Sequence, residues 1–428
     1  MSDLILDKAY ATWAQWADFR RRREHSAAFT YGEQWCDMVT DPNNPEGPRI
    51  REDRAIESSG RRPYTNNLIR QLVKTVVGRF RTRAADDGIY SGDIGGIAGA
   101  NALGEMDARM LEEFLISGAA VQRITSERRW PGAGIWIDNV DPARFFVNPY
   151  RDPRGWDIEM IGQTHDMSLA QIINRFAQGD RTRAADFGRL YARGADTVGL
   201  GLADADSFLT PATADKCRVI EVWTFESRPI DPESAFSDFV WHCRWFAPDG
   251  TVLSEYDSPY AHRSHPFAVK LYPLTDGQIH SFVEDVVDQQ KFINRLIVTM
   301  DHVLSCSAKG VLLFPIEQKP RDQDWNFIAS RWSRADGIIP ITGKGGLPQQ
   351  ITGNGATAGA HQLLQLQMQL FEKVSGVGDA LYGRDNGSAR GADFFDAQIR
   401  NAQIALADLF ETFTSFITER NTKALATD

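Results

Sequence analysis

Apolar residues return at helical spacing in several long segments and at alternating spacing in the middle of the chain, and this change of period predicts the organisation. From residue 5 to 30, Trp13, Trp16 and Phe19 fall on one stripe of a helix that carries the cationic run Arg20 to Arg23 toward its end, read as a solvated helix end. A polar, Pro/Gly-rich stretch from 40 to 63 reads as loop. In NNLIRQLVKTVVGRF, residues 66–80, Leu68, Leu72, Val76 and Phe80 again mark one helical face, and a further helix is expected over 101–123.

The period then changes. GIWIDNVDPARFFVNP (134–149) breaks into short β-rich runs, and RVIEVWTFES and DFVWHCRWFAPDGTVLSEY alternate aromatic and polar residues around a Pro-Asp-Gly turn signal. A small antiparallel meander follows from this, preceded by helices at 168–178 and 183–194, the first capped by Ser168. Trp223, Phe225, Trp241 and Trp245 are assigned to its packed faces.

From His280 to Ala308 the chain contains no proline or glycine, enough for a helix of about 42 Å. Val283, Val287, Gln290, Ile293, Ile297 and Met300 lie near one stripe of it, flanked by Val286 and Leu296. A Pro/Gly-rich β-type module follows, and then a Gln- and Leu-rich segment returns as a second long helix. Helices this long pack along other long helices or belong to assemblies.

Composition narrows the chemistry. A 428-residue chain with 42% hydrophobic content buries a core of two or three domains, and its net charge of −10 argues against a protein that coats nucleic acid. Cys36, Cys217, Cys243 and Cys306 are too scattered for a disulfide framework or a zinc site, which fits a reducing cytoplasm. Neither a signal peptide nor a run of about 18 apolar residues occurs, so no membrane partner is expected. ITGKGG lacks the spacing of a phosphate-binding loop, GNGATAG that of a dinucleotide turn, and no HExxH, GxSxG or DxDxDG is present. Glu284, Asp285 and Asp288 share a helix face as a metal pair would, but no third ligand converges on them. The expectation is a protein without catalytic residues, metal or cofactor.

The segments FTYGEQW, NNLIRQLVKTVVGR, DPARFFVNPYRDPRGWDIEMIGQTHDMSLAQIINRF, HPFAVKLYPLTDG, VEDVVDQQKFINRL and VSGVGDALYGRDNGSARGADFFDAQIRNAQ, in this order along almost the whole chain, resemble the portal, or head-to-tail connector, proteins of tailed bacteriophages, particularly the short-tailed type. The resemblance implies an α+β, mostly helical fold. Its expected parts are a wing domain (1–278), a first stem helix (279–308), a small α/β clip (309–358), a second stem helix (359–382), a tunnel loop (383–392) and a C-terminal wing and channel helix (393–428) with a short or absent crown. It further implies a homo-oligomeric ring, usually a dodecamer, at one capsid vertex of the virion, assembled in the bacterial cytoplasm. Double-stranded DNA would pass through it without sequence reading, a separate large terminase would drive packaging, and head–tail adaptors and the major capsid protein would be its partners.

Within that frame Arg384, Asn386, Ser388 and Arg390 of the tunnel loop would touch phosphates, since their side chains carry donors and Gly383, Gly387 and Gly391 loosen the backbone. In the clip, Lys319, Arg321, Trp325, Arg331, Trp332 and Arg334, with Asp322 and Asp324 among them, would meet the motor and later the adaptors. A different ring or head–tail adaptor protein of the particle is the alternative. A packaging enzyme is a third reading, weakened by the missing phosphate loop.

Overall fold

The computed structural model describes residues 2–130, 132–195, 208–229, 237–307, 311–319, 323–332, 348–351, 356–377 and 406–427, together with 339, 341 and 404. The chain opens with helices α1 (Ser2–Gln15) and α2 (Ala17–Tyr31), where the stripe predicted a single one. The break lies at Trp16, whose indole Nε1 donates to the Val147 carbonyl at 2.8 Å, so the side chain is held in the core while the backbone turns. The stretch expected to be loop from 40 to 63 also departs from expectation. Strands β1 (Met38–Val39) and β2 (Ile50–Arg51) pair, and α3 (Glu52–Ser58) follows directly.

Helices α4 (Leu68–Asp86), α5 (Gly95–Ala100) and α6 (Leu103–Ser117) precede the long hairpin of β3 (Ala119–Arg129) and β4 (Gly132–Asn139). The helix predicted over 101–123 therefore stops six residues early, and Gly118 is the reason. Its φ of +77° ends the helix, and a Cβ there would stand 3.0 Å from Ile279 Cγ2 and 3.2 Å from the carbonyls of Tyr272 and His280. Only glycine fits a left-handed cap pressed this closely against backbone.

Next come β5 (Phe145–Val147), β6 (Met160–Met167), α7 (Leu169–Phe176), α8 (Arg181–Ala195), β7 (Cys217–Pro229), β8 (Ser237–Phe246), β9 (Val252–Asp257) and β10 (Phe267–Leu271). Ser168 caps α7 through a reciprocal box with Gln171. Then α9 (Glu284–Ser307), β11 (Val311–Leu313), α10 (Trp325–Trp332), β12 (Gln349–Ile351), α11 (Ala356–Ser375) and α12 (Ala407–Leu425) complete the described elements. No described helix is long and apolar enough to cross a membrane.

Two compact units divide these elements. The first comprises residues 1–31, 69–285 and 376–428, the second residues 32–68 and 286–375.

In the first unit β5 to β9 form an antiparallel five-stranded meander in sequence order, and β10, β3 and β4 form a three-stranded sheet with β3 central. Phe145, Val219, Trp223 and Trp245 from the meander and Val121 and Phe267 from the smaller sheet share one buried cluster. Trp223 and Trp245 are fully buried and Trp241 nearly so, whereas Phe225, also expected in the packed faces, is 40% exposed and stacks at 5.0 Å on exposed Phe239. Glycine is required at 162 in β6, where a Cβ would lie 2.3 Å from the Glu221 carbonyl and 2.4 Å from the Phe146 ring.

The second unit is built from β1, β2, α3, most of α9, β11, α10, β12 and α11. Strands β11 and β12 pair antiparallel, Val311 opposite Ile351 and Leu313 opposite Gln349.

Candidate functional site

All four predicted DNA-facing residues, Arg384, Asn386, Ser388 and Arg390, lie outside the described residues, as do Arg321, Asp322 and Arg334 of the clip set. The other residues expected to meet a partner, Lys319, Trp325, Arg331 and Trp332, lie on or just before α10. Asp324 accepts from the Phe327 backbone N–H at 2.8 Å and so starts α10. Ile328 of that helix is buried, and Trp325 at its first turn is 47% exposed. Phe314 meets the Trp325 ring edge-on at 6.1 Å, and the Lys319 ammonium lies 5.7 Å from the same ring. Arg331 covers Phe327 at 5.2 Å. Lys319, Trp325 and Arg331 thus belong to one small helix and its approach, and Trp332 is the last residue of that helix. Half-exposed aromatics flanked by cations are the composition of a protein-binding surface rather than of a catalytic one.

Inside the second unit, the polar member of the α9 stripe has a specific role. Gln290 is fully buried, accepts from the Leu68 backbone N–H at 3.0 Å and donates to the Asn66 carbonyl at 2.6 Å and to Asn294 Oδ1 at 3.0 Å. Asn294, equally buried, accepts from the Asn66 N–H at 3.2 Å and donates to Gln34 Oε1 at 2.6 Å, and Gln34 donates to Asn67 at 3.1 Å. Lys291–Asp37 and Arg295–Glu52, each 2.7 Å, close the flanks. An amide network of this kind fixes the register of a helix against the segment before α4 and has no group that titrates near neutrality. The stripe made Gln290 visible; its partner Asn66, 224 residues earlier, left no local signal.

The acidic run at the start of α9 is also resolved into a structural role. Glu284 accepts from the Ser281 N–H at 2.7 Å while Ser281 Oγ accepts from the Glu284 N–H at 3.1 Å, a reciprocal cap. Arg22 donates to Glu284 at 3.3 Å and to the Ile279 carbonyl at 2.9 Å. The S-x-x-E spacing at 281–284 could have announced this. Arg23 binds Glu113 through two bonds of 2.7 and 2.9 Å, so half of the cationic run read as a solvated helix end ties α2 into its own unit instead.

α11 is the most unusual element. Leu363, Leu366, Leu370 and Val374 are 36–50% exposed and recur at three- and four-residue spacing, a partly exposed apolar stripe on a 20-residue helix.

The buried carboxylate Glu221 of the first unit is fully engaged by its neighbours. Glu221 accepts from Arg123 at 3.0 Å and Trp223 Nε1 at 2.8 Å and pairs with His165 at 2.8 Å. Burial would raise its pKa, but Arg123 and His165 outweigh that and hold it at about 2. A carboxylate saturated in this way neither accepts a proton near neutrality nor reaches a substrate.

The comparisons complete this picture. A family model described as phage P22-like portal protein matches residues 6–425. No curated protein matches the chain.

Proposed function

The chain belongs to the phage P22-like portal protein family, and on that premise we propose that it forms the ring through which the phage genome is packaged and later ejected. Members of this family are structural, non-enzymatic components of the phage capsid, and they act as oligomeric rings. The observation that carries the reading is the exposed Leu363–Leu366–Leu370–Val374 stripe, which a free monomer would leave in water and which a cyclic, head-to-tail array of copies covers. The ring is a dodecamer at one vertex. α9 and α11 serve as its stem helices, and residues 309–358 serve as a clip that faces outward from the capsid. Through Lys319, Arg321, Trp325, Arg331, Trp332 and Arg334 the clip contacts a separate terminase motor and afterwards the head–tail adaptors. The loop 383–392 lines the channel, where Arg384, Asn386, Ser388 and Arg390 meet phosphates irrespective of sequence.

Electron-microscopic class averages of the purified protein test the ring, which should show a central opening wide enough for duplex DNA. Leu366→Asp should dissociate it. A chain that stays monomeric at high concentration, and forms no ring in particles, sinks the reading. For the loop, the Arg384→Ala, Arg390→Ala double variant should assemble normally yet package or retain DNA poorly, with no dependence on DNA sequence.

A further inference from the structure

The first unit holds a cleft of about 710 Å³ that none of the roles above uses. Its walls are the outward face of α12 with Thr418, Thr422 and Lys423, the edge of β10 at Val269 and Lys270, and the turn carrying Arg154 and Trp156. Phe225 and Trp241 close the far end. The size falls in the range of clefts that take a ligand or a short peptide, about 300–1,000 Å³.

Two independent features define what fits. The rim is aromatic and open. Trp156 is 77% exposed with the Arg154 guanidinium 4.0 Å from its ring, and Asp152 holds that guanidinium through bonds of 3.0 and 2.9 Å. Phe225, stacked on Phe239 and 5.2 Å from Trp241, presents a second aromatic face. The floor is cationic. Lys270 and Lys423 approach the single carboxylate of Glu419 from two different elements, at 3.8 and 3.5 Å. Each is also anchored on a carbonyl, Lys270 on Pro153 at 2.7 Å and Lys423 on Phe267 at 2.6 Å. Counting Arg154 with Asp152, the cleft has three cations against two carboxylates, and each ammonium has a third donor beyond those two contacts. Burial pushes the pKa of Lys423 down while Glu419 works against that shift. The Thr418 and Thr422 hydroxyls donate back to the carbonyls of Thr414 and Thr418, each at 2.9 Å, which leaves their oxygens as acceptors along the wall.

We infer that this cleft docks a linear segment of a partner polypeptide that presents a carboxylate beside an aromatic or branched apolar side chain. The carboxylate completes the Lys270–Lys423–Glu419 cluster, the apolar side chain lies on Trp156 and Phe225, and backbone N–H groups meet the threonine oxygens. Tryptophan and arginine are the usual anchors of such interfaces once a partner covers them. The proposal stands independently of the channel reading.

The test uses the full-length protein and two fluorescein-labelled octapeptides of glutamate, phenylalanine and leucine in a glycine–serine frame, identical except that glutamine replaces glutamate in the second. Anisotropy titration should give saturable binding of the glutamate peptide, about tenfold tighter than its glutamine counterpart. Trp156→Ala, which removes a mostly exposed side chain, should weaken both peptides by about tenfold. Lys270→Met should abolish the preference for glutamate. Equal binding of the two peptides, or no loss in Trp156→Ala, overturns the proposal. So does failure of either variant to keep the oligomeric state of the parent, because the cleft then belongs to a neighbouring copy.

Discussion

Arg420, on the last helix, and Asp107, on α6, face each other through two parallel bonds of 3.0 Å with neither side chain exposed to solvent. Gln122 accepts from Arg420 at 3.0 Å and donates to Asp107 at 2.9 Å, so the pair is enclosed by polar partners from β3 as well. Phe413, two turns earlier on the same face of that helix, packs on Phe80 and Phe114 at 5.2 and 5.6 Å. Asp107→Ala strands a buried guanidinium and should lower unfolding free energy by about 3–5 kcal/mol, read from urea denaturation. The Asp107→Leu, Arg420→Met pair should recover most of it. If the double variant is no more stable than Asp107→Ala, the cost does not come from the stranded charge.

The amide network of the second unit gives a different kind of prediction. Asn294→Ala removes the acceptor of the Asn66 N–H and the donor to Gln34 Oε1, and should cost about 1–3 kcal/mol for each of these hydrogen bonds. The loss should be the same at pH 6 and pH 8, since no member ionises there. Hydrogen exchange at the Asn66 and Leu68 amides reports it directly. Unchanged protection at both would show that the network does not hold this segment.

Gly118→Ala should destabilise the protein by at least about 1–2 kcal/mol from the left-handed backbone alone. Crowding against Ile279 and two carbonyls adds to that, and Gly118→Val should be worse. Thermal unfolding decides the matter, and an alanine variant as stable as the parent would contradict the geometry.

Acid sensitivity follows from the histidines. Burial pushes His262 down to about 4 and His265 well below its ordinary value, with Lys423 adding to both, and burial lowers His165 as well. Folded chains then bind fewer protons than unfolded ones, whose histidines titrate near 6.5. Stability is therefore complete above about 6.5 and drains as pH falls toward the folded values. Glu221 extends the loss further down, between its unfolded value of about 4.3 and its folded value of about 2. The melting temperature should fall from pH 7 to pH 5, and a His262→Gln, His265→Gln variant should show a shallower slope. A flat profile between pH 7 and pH 5 would contradict this.

Much of the architecture was legible because it is local. Ser168 announced α7, the Pro-Asp-Gly turn separated β8 from β9, and alternation put Trp223 and Trp245 inside. Local signals failed where two periods abut. The α6 pattern runs straight into VQRI, and one glycine decides where helix becomes strand. Phe225 sits on an inward-reading position, yet lies four residues from the end of β7 and is 40% exposed. The helix α10 could not be read from the Pro- and Gly-rich stretch around it, which suggested a β-type module. Nor could the Arg420–Asp107 pair, 313 residues apart, because nothing near either residue marks the other.

The β11–β12 ladder brings the two ends of the intervening segment to within about 5 Å of each other, the spacing of antiparallel neighbours. Whatever lies between Leu313 and Gln349 therefore begins and ends at one place. Doubling the length of a flexible insert at such a point costs only about 0.6 kcal/mol in closure entropy. Changes of length between Leu313 and Gln349 therefore cost little at the ladder itself, where Val311 stays opposite Ile351.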